Sequence, residues 1–228
     1  MQHITMTIYI LTAALLTTLS GLAGEEIKRV ETNQPWVALT FDDGPSKVEE
    51  QLLALFEKEG VKATFFFNGN NVSKNPAWAR RVVDAGHEVG NHSFTHPNFG
   101  KIQDNEKTRS EVLNTQKAIK EATGKDAVLF RAPFLAHSDM LWAVLDELKM
   151  SSISASVFTD DWQNGLKKET LLENATANTK AGDVILMHSW GYHTLAVMPE
   201  IIARLKAKGL QCVTVSQLLA AGSKTSKK

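Results

Sequence analysis

Short β-rich runs alternate with helical patterns along most of this chain of 228 residues. Seven runs are predicted as strands: residues 36–41, 63–68, 88–91, 128–131, 152–157, 184–187 and 211–215. No long hairpin signal joins neighbouring runs, and the segment Thr64-Phe65-Phe66-Phe67 is apolar at nearly every position. Strands of this composition are typical of parallel sheets that are covered on both faces. We therefore predict an α/β fold built on one parallel sheet.

Helical periodicity fills the segments between these runs. The predicted helices are residues 46–59, 76–85, 105–123, 138–148, 169–179 and 195–208. Ser46 is predicted as the N-cap of the first helix, because a serine side chain accepts hydrogen bonds from the free N–H groups at a helix start. Four glycines stand where helix C-caps are expected: Gly60, Gly86, Gly124 and Gly209. The pattern fits a closed barrel as well as an open sheet.

The size and charge of the chain exclude several classes of protein. Apolar residues make up 43% of the chain, enough for one sizeable core, and we interpret the chain as a single domain. Lysine and arginine together number 25, as do aspartate and glutamate, so the formal net charge is zero. A neutral chain has no global attraction for nucleic acid or for an anionic membrane. We expect a monomer with no nucleic acid partner, no evident protein partner and a locally recognised ligand.

The first 24 residues have the composition of an export signal. They contain no Lys, Arg, Asp or Glu, and an apolar run ends at small residues: Gly21, Ala23 and Gly24. Residues 1–24 are therefore predicted as a secretory signal peptide, which makes the protein secreted or periplasmic. Because the apolar run nearly reaches the length that spans a membrane, an uncleaved N-terminal membrane anchor is the alternative. The mature domain is then residues 25–222, followed by a basic, disordered tail at residues 223–228.

Two adjacent carboxylates end the first predicted strand. Asp42 and Asp43 follow an apolar run and precede the turn Gly44-Pro45. On a regular strand they would point to opposite faces, and we expect the turn to let both face one cleft. One aspartate could then bind a cation while the other accepts a proton. The alternative is structural, with one aspartate capping the helix that begins near Ser46.

Two histidines follow the third predicted strand. His92 and His96 are four residues apart, a spacing that brings two imidazoles to one side of a helical turn or a compact loop. Because the carboxyl ends of parallel strands meet at one edge of a sheet, we expect this pair near Asp42 and Asp43. Two imidazole nitrogens and one carboxylate suit zinc, with positions left open for water and substrate. The alternative is that both histidines only pack within a loop.

Charged residues follow later strands at the same edge. Arg131 emerges from an apolar strand and needs a carboxylate partner, for which Asp42 and Asp161 are the candidates. An ion pair at the rim without a catalytic role is the alternative for Arg131. A histidine close to a carboxylate is held protonated near neutral pH, so His188 could donate a proton to a leaving group. His193, five residues further on, is a rival for that role.

Two motifs of this chain together resemble those of a known family. Thr-Phe-Asp-Asp-Gly-Pro stands at residues 40–45, and His-Ser-Phe-Thr-His stands at residues 92–96. In this order and at this separation they resemble the signatures of the NodB-like polysaccharide deacetylases, which form family 4 of the carbohydrate esterases. The resemblance runs from about residue 37 to residue 215. It implies a distorted, incomplete (β/α)7–8 barrel.

The resemblance also implies roles for the charged residues at the carboxyl edge. Three of them would hold a metal: Asp43, His92 and His96. Asp42 would be the general base, oriented by Arg131. His188 would be the general acid, and Asp161 would tune it.

Other matching motifs contain residues that the resemblance places in substrate binding: Phe134, Trp162 and Leu186. By the resemblance, the backbone N–H of Phe134 joins the metal at the oxyanion, and Leu186 lines the pocket for the acetyl methyl group. Aromatic rings beside a glycan site could stack on sugar faces. The chain departs from the family's usual Arg-Pro-Pro-Tyr/Phe-Gly at Ala132 and Leu135, and it has Phe158 where the family has an aspartate. These changes affect the fit of the substrate rather than the catalytic residues.

We therefore expect a secreted, metal-dependent hydrolase that removes N-acetyl groups from a polymer containing N-acetylglucosamine, such as peptidoglycan or chitin. The expected cofactor is a divalent metal ion, Zn²⁺ first, with Co²⁺, Mn²⁺ or Ni²⁺ as alternatives. O-deacetylation, as in the acetylxylan esterases of the same family, is the alternative reaction. A catalytically silent glycan-binding protein is a third hypothesis, and the retention of Asp42 beside all three ligands argues against it.

Overall fold

The computed structural model describes residues 24–222. The predicted signal peptide, apart from Gly24, and the predicted tail at residues 223–228 lie outside the described residues. Within residues 24–222, no helix is both long enough and apolar enough to cross a membrane.

One parallel sheet forms the centre of the molecule. Its eight strands are β1 (Trp36–Gly44), β2 (Thr64–Phe67), β3 (Glu88–Asn91), β4 (Leu129–Phe130), β5 (Ser151–Ser152), β6 (Val157–Phe158), β7 (Val184–His188) and β8 (Gln211–Val213). Their spatial order is β5-β4-β3-β2-β1-β7-β6, and β8 pairs with the start of β1. Every strand pair is parallel, so the carboxyl ends of the strands meet at one edge.

Helices connect the strands and cover the outside of the sheet. They are α1 (Val48–Glu59), α2 (Gly69–Lys74), α3 (Pro76–Asp84), α4 (Asn105–Thr123), α5 (Asp139–Glu147), α6 (Lys168–Thr176), α7 (Thr194–Ala207) and α8 (Val215–Ala220). The four glycines predicted at helix C-caps follow four of these helices with a left-handed backbone, as expected. The predicted strand at residues 211–215 ends earlier because α8 begins at Val215. The six-residue α2 was missed because it is too short to show a helical period.

The start of α1 differs from the prediction. The N-cap position is one residue later than predicted, at Lys47, which has no capping side chain of its own. The Ser46 hydroxyl still accepts a hydrogen bond from the N–H of Val48, the first residue of α1, at 3.2 Å. Ser46 also donates hydrogen bonds from its N–H and its hydroxyl to Glu49 Oε2, at 2.6 and 2.7 Å. The structural alternative for Asp42 and Asp43 was therefore wrong, because neither carboxylate caps the helix.

The curled sheet does not close between β5 and β6. The predicted strand at residues 152–157 is split between these two strands, which pair with β4 and β7 respectively. The N-terminal segment enters the gap, where Ile27 forms a parallel bridge to Ile153 and Arg29 forms an antiparallel bridge to Asp183. The expected distorted, incomplete barrel is confirmed. Local apolar patterning could not reveal the split, because each half of the run pairs with a different neighbour.

Two apolar layers pack against the sheet. The larger layer lies between the sheet and the helices and includes Phe41, Phe56 and Phe65. The smaller layer includes Phe66 and Val184. Successive strand residues point to opposite faces, so Phe65 and Phe66 pack on different sides of β2 and this smaller layer lies inside the barrel. Toward the carboxyl ends of the strands, the side chains that point into the barrel are polar.

Candidate active site

The register of β1 and β7 brings a carboxylate and an imidazole together. Asp42 is paired with His188 across these parallel strands, and Thr40 is paired with Leu186. Paired residues of neighbouring strands share one face of the sheet, which here is the inside of the barrel. The structure thus places Asp42 and His188 side by side at the carboxyl edge.

Asp43 reaches the same cleft by a reversal of its own backbone. Its φ is 74°, in the left-handed region, and the pairing of β1 with β2 shifts register between Asp42 and Gly44. A regular strand would have sent Asp43 to the opposite face. The carbonyl oxygen of Asp43 accepts a hydrogen bond from Asn71 Nδ2 at 2.8 Å, which helps to hold this conformation. The expected turn at Gly44-Pro45 follows, but the reversal occurs at Asp43.

Asp43, His92 and His96 form a cluster with the chemistry of a metal site. Their ligand atoms all lie within 4.8 Å of one another. Asp43 Oδ1 is 3.6 Å from His92 Nε2 and 3.3 Å from His96 Nε2. His92 Nδ1 lies 2.8 Å from the carbonyl oxygen of Arg131, so this nitrogen carries the proton and the Nε2 lone pair faces Asp43. Two imidazole nitrogens and one carboxylate oxygen fit Zn²⁺ and similar divalent cations.

Burial keeps His92 in the form that binds metals. It lowers the pKa of His92 more than the charges of Asp42 and Asp43 raise it, so the imidazole is neutral. Asp42 Oδ2 lies 3.9 Å from His92 Nε2, beside the cluster. The two aspartates therefore occupy different positions relative to the ligand atoms, and only Asp43 belongs to the cluster.

A glutamate of α4 organises the loop that carries the histidines. Glu111 Oε2 accepts hydrogen bonds from the N–H groups of Phe94 and Thr95, at 2.8 and 2.7 Å, and Oε1 accepts from the Thr95 hydroxyl at 2.6 Å. Ser93 Oγ accepts from the N–H of His96 at 3.1 Å. Glu111 was not predicted from the sequence, where the available signal was a glutamate on the buried face of an amphipathic helix.

Arg131 is fully buried, and each of its nitrogens donates a hydrogen bond. Nη1 donates to Asp42 Oδ1 and to Thr40 Oγ1, both at 2.8 Å. Nε and Nη2 donate to the carbonyl oxygens of Ile153 and Ser154, at 3.1 and 2.9 Å. Asp42 is therefore the partner of Arg131, which decides between the two candidates. The guanidinium cannot rotate without losing several hydrogen bonds, so it holds the carboxylate in one orientation.

Asp42 is an ionised carboxylate despite its burial. Burial raises the pKa of its carboxyl, but the charges of Arg131, His92 and His188 outweigh burial and lower the pKa below its ordinary value. A carboxylate that stays ionised and is held on one oxygen can accept a proton on the other.

Asp161 holds His188 in a single orientation. Asp161 Oδ1 is 2.8 Å from His188 Nδ1, while Oδ2 accepts from the His188 N–H and the Thr194 hydroxyl, at 2.7 and 2.5 Å. Gly191 leaves room for this carboxylate, since a Cβ there would lie 2.3 Å from Asp161 Oδ2. Burial lowers the pKa of His188, but the hydrogen bond to Asp161 and the charges of nearby aspartates raise it above its ordinary value. His188 can therefore carry a proton near neutral pH.

The segment that follows β7 contains three residues whose positions the sequence did not indicate: Trp190, His193 and Thr194. His193, the predicted rival of His188, occupies the N-cap position of α7, while Asp161 is already engaged by His188 and Thr194. The indole N–H of Trp190 donates to Asp43 Oδ2 at 2.9 Å. Both Thr194 and Trp190 thus support aspartates of the site.

Exposed aromatic side chains surround the cleft: Phe134, Trp162, Trp190 and Tyr192. The Phe134 ring packs edge-on against His96, with ring centroids 4.8 Å apart. Trp162 directly follows Asp161 and is 55% exposed. Leu186 is half-buried on the inner face of β7. Phe134 and Trp162 therefore lie at the carboxyl edge, and Leu186 lies on the inner face two residues before His188.

Backbone strain is concentrated at this edge. Seven non-glycine residues among those described have a positive φ. Five of the seven follow the carboxyl ends of strands, namely Ser93, His96, Phe134, Leu135 and Asp160, and a sixth, Asp43, is the penultimate residue of β1. Each such conformation costs on the order of 1–3 kcal/mol, and such residues cluster at functional sites. The distribution of strain therefore supports the assignment of this edge as the candidate active site.

Comparison with known proteins identifies the family. The profile of the polysaccharide deacetylase family matches residues 29–153, which is more than half of the chain. This chain belongs to the polysaccharide deacetylase family. The resemblance noted from the motifs at residues 40–45 and 92–96 is thereby confirmed.

Several known proteins align with most of this chain. The bifunctional xylanase/deacetylase of Pseudobutyrivibrio xylanivorans is 36% identical over 189 residues, covering 82% of this chain but 31% of the relative. A peptidoglycan-N-acetylglucosamine deacetylase of Bacillus cereus is 34% identical over 197 residues, covering 83% of this chain and 91% of the relative. A carbohydrate esterase family 4 pseudoenzyme from Bacillus anthracis has a solved structure that matches with a TM-score of 0.81 at 30% identity, covering 87% of this chain and 70% of that one. The chain thus spans less than a third of the first relative and nearly all of the second.

Proposed function

We propose that this protein is a secreted, metal-dependent hydrolase that removes N-acetyl groups from a glycan containing N-acetylglucosamine. The observation that carries the proposal is the meeting in one cleft of three elements: an ionised aspartate, a three-ligand cluster and a histidine with a raised pKa. A peptidoglycan or chitin-type polymer is the proposed substrate, which the activity named for the Bacillus cereus relative supports.

Asp43, His92 and His96 would hold the metal ion. Their donor atoms favour Zn²⁺, with Co²⁺, Mn²⁺ or Ni²⁺ as alternatives. When bound, the cation supplies Lewis-acid polarisation of the acetyl carbonyl and a lowered pKa for the attacking water. Trp190 and the carbonyl oxygen of Arg131 orient two of the three ligands through hydrogen bonds. Such supporting contacts fix the tautomer and direction of metal ligands.

Asp42 is proposed as the general base. Arg131 holds its Oδ1 at 2.8 Å, while Oδ2 lies 3.9 Å from His92 Nε2 and so borders the ligand cluster. A water that attacks an acetyl group beside the cluster can therefore pass its proton to Oδ2. General base catalysis of this kind contributes about 10²–10⁴-fold to the rate.

His188 is proposed as the general acid. Asp161 orients its ring through Nδ1, so the Nε2–H is the proton available to a leaving group. An amide nitrogen leaves readily only when it is protonated, whereas an ester oxygen leaves with less help. The raised pKa of His188 therefore favours an N-acetyl substrate over an O-acetyl one.

The backbone N–H of Phe134 is proposed to donate to the oxyanion of the tetrahedral intermediate. The contact of its ring with His96 places this residue beside the ligand cluster. A donor of this type contributes about 3–4 kcal/mol in other hydrolases. Leu186 would line the pocket for the acetyl methyl group, and Trp162 would stack on a sugar ring.

Two other functions are supported by particular relatives. O-deacetylation of xylan is the second candidate reaction, since the bifunctional relative combines xylanase and deacetylase activities in its name. A silent glycan-binding protein is the third candidate, because one structural neighbour is a pseudoenzyme. The ionised Asp42 argues against it, since a protein that only binds glycan has no need of a base.

The predicted signal peptide at residues 1–24 supports export, and we propose a secreted or periplasmic enzyme with its catalytic domain at residues 25–222. Membrane anchoring through residues 1–24 is the alternative. Fractionation of the producing cells, with N-terminal sequencing of the recovered protein, separates the two. A new N-terminus near residue 25 in the soluble fraction is expected, and a full-length chain in the membrane fraction would contradict export by cleavage.

Acetate release from defined glycans tests the proposed reaction. We expect release from N-acetylglucosamine oligomers, loss of release after removal of metal with a chelator, and recovery with added Zn²⁺. Mass spectrometry of the products then identifies the deacetylated sugars. Faster release from acetylated xylan would favour the O-deacetylase. No release from either glycan by the metal-loaded protein, with binding to a glycan retained, would favour the silent binding protein.

A further inference from the structure

His137, a half-buried residue outside the proposed reaction, lies in a clamp formed by three elements. Its Nε2 is 2.8 Å from Ser152 Oγ on β5. Its ring stacks on Trp142 of α5, with centroids 4.2 Å apart and an angle of 8° between the ring planes. Its Nδ1 is 3.5 Å from Glu26 Oε1 in the N-terminal segment. Ser152 and Trp142 therefore fix the imidazole, while Glu26 Oε1 lies close to it without forming a hydrogen bond.

The three polar residues of this clamp are of the types found in nucleophilic triads, but they do not form a second catalytic site. Ser152 is only 3% exposed, so a substrate cannot reach its hydroxyl. The clamp therefore needs a structural explanation, and the segment directly before His137 supplies one.

That segment contains two consecutive residues in the left-handed region. Phe134 has a φ of 57° and Leu135 has a φ of 52°. Side chains with a Cβ are strained in this region, and two in succession are more strained than one. The family usually has glycine where this chain has Leu135, and glycine adopts such a φ without strain. The turn therefore needs contacts that hold it in place.

Few hydrogen bonds within the turn are available to hold it. The Leu135 N–H donates to the Ala132 carbonyl oxygen at 3.0 Å, and the Ala136 N–H donates to that of Pro133 at 3.1 Å. His137 is two residues after Leu135, and its ring is held by Ser152 and Trp142. The clamp therefore lies directly at the carboxyl end of the strained turn.

We propose that His137 is a positioning residue that holds the left-handed turn at Phe134 and Leu135. The inference rests on the proposed function in one respect, since this turn presents the Phe134 N–H to the cleft. Fixed by Ser152 and Trp142, the imidazole anchors the carboxyl end of the turn. Buried Arg131 anchors the amino end. Without the anchor at His137, the strained turn relaxes and the Phe134 N–H moves away from its place.

Three variants test this coupling: His137→Ala, Leu135→Gly and the double variant. Hydrogen–deuterium exchange of residues 132–138, followed by mass spectrometry, reports the turn without any substrate. Steady-state acetate release by the metal-loaded protein reports kcat and KM. His87→Ala is the matched control, because it removes another imidazole that packs against aromatic rings but lies at the opposite end of the sheet.

His137→Ala is expected to speed exchange in the turn about tenfold and to lower kcat about tenfold, with KM changed less than about twofold. Leu135→Gly relieves the strain, so in that background the loss of kcat from His137→Ala is expected to fall below about threefold. If His137 only stabilised the fold, His137→Ala would lower kcat by the same factor whether residue 135 is leucine or glycine. The His87→Ala control is expected to lower the unfolding midpoint without changing exchange in the turn or kcat.

Two results would overturn the inference: unchanged exchange in the turn of His137→Ala, or an equal loss of kcat in both backgrounds. If the wild-type protein releases no acetate from any glycan, the proposed function fails. The exchange measurement then still decides whether His137 holds the turn, so the two failures are distinguishable.

Discussion

The two ends of the parallel sheet bury histidines in opposite electrostatic environments. At the amino end, His87 packs against the rings of Phe56 and Phe65, and its Nδ1 accepts a hydrogen bond from the Ala63 N–H at 3.1 Å. Burial, together with the charge of a nearby lysine, lowers the pKa of His87 to about 4. At the carboxyl end, His188 is half-buried beside aspartates, and its pKa is raised instead.

The difference shows what converts a packed histidine into a reactive one. Desolvation disfavours the imidazolium in both places, so burial alone yields a neutral ring. Carboxylates within hydrogen-bonding distance reverse the direction of the shift, as Asp161 does for His188. The chemistry of this protein is therefore located where the sheet brings charged side chains from several strands together.

The largest expected effect comes from removing a carboxylate at the carboxyl end of the sheet. Asp42→Asn keeps the shape of the side chain but removes the proposed base, so we expect kcat for acetate release to fall about 10²–10⁴-fold. Asp183→Asn is the matched control, because Asp183 is buried at the amino end of β7 and accepts hydrogen bonds from Ser156 Oγ and the Lys180 N–H. This control is expected to lose about 1–3 kcal/mol of stability and to retain its kcat. Intact acetate release by Asp42→Asn would disprove the role of the base.

The second effect concerns the raised pKa of His188. Asp161→Asn removes the charge that helps to raise this pKa and leaves one acceptor oxygen in place of two, so the pKa falls and His188 loses its proton at a lower pH. We expect the alkaline limb of the kcat profile to move to lower pH, and kcat at pH 8 to fall about 10–100-fold.

Thr194→Val is the control for that change, because it removes one hydrogen bond to Asp161 while leaving the charge in place. Its alkaline limb should move less than that of Asp161→Asn. An unchanged pH profile in Asp161→Asn would show that His188 does not depend on this carboxylate for its proton.

The third effect tests the support of the metal ligands. Glu111→Gln replaces an acceptor of two backbone N–H groups by an amide with one acceptor oxygen, which loosens the loop that carries His96. We expect affinity for Zn²⁺, measured by competition with a chelator, to fall about 10–100-fold. Glu147→Gln, which removes an exposed partner of Arg109, should leave the affinity unchanged. Equal affinities in both variants would contradict the role assigned to Glu111.

The smallest expected effect is a pH dependence of stability that arises from His87 at the amino end of the sheet. With a pKa of about 4 in the folded protein and about 6.5 in the unfolded chain, His87 is protonated first in the unfolded state as pH falls. Its contribution to stability is therefore complete above pH 6.5 and is lost as pH falls toward 4, reaching about 2 kcal/mol lost at pH 5. His87→Asn keeps an acceptor for the Ala63 N–H and does not titrate.

Denaturant unfolding at pH 7 and pH 5 checks this prediction. The free energy of unfolding of the wild-type protein should fall between the two values of pH by about 2 kcal/mol more than that of His87→Asn. The same pH dependence in both proteins would mean that His87 is not buried as a neutral ring.

Much of the fold could be predicted because its signals are local. Apolar runs and helical periods indicated a parallel α/β sheet, and the aspartates, histidines and arginine that follow strands were expected at one edge. The number of strands was wrong by one, since the run at residues 152–157 divides between two partners. The N-cap lies one residue later than predicted, at Lys47, although the Ser46 hydroxyl still accepts from the first N–H of the helix.

The candidate site, like the fold, was predicted only in part from the sequence. The order and spacing of Asp42, Asp43, His92 and His96 in the chain were enough to indicate metal and acid–base chemistry, because metal ligands and proton acceptors are recognised by residue type. The choice of Asp42 as the partner of Arg131, the reversal at Asp43 and the support from Glu111 came from the folded structure. These features depend on contacts between residues far apart in the chain and on strand register, and neither leaves a periodic trace in the amino-acid order.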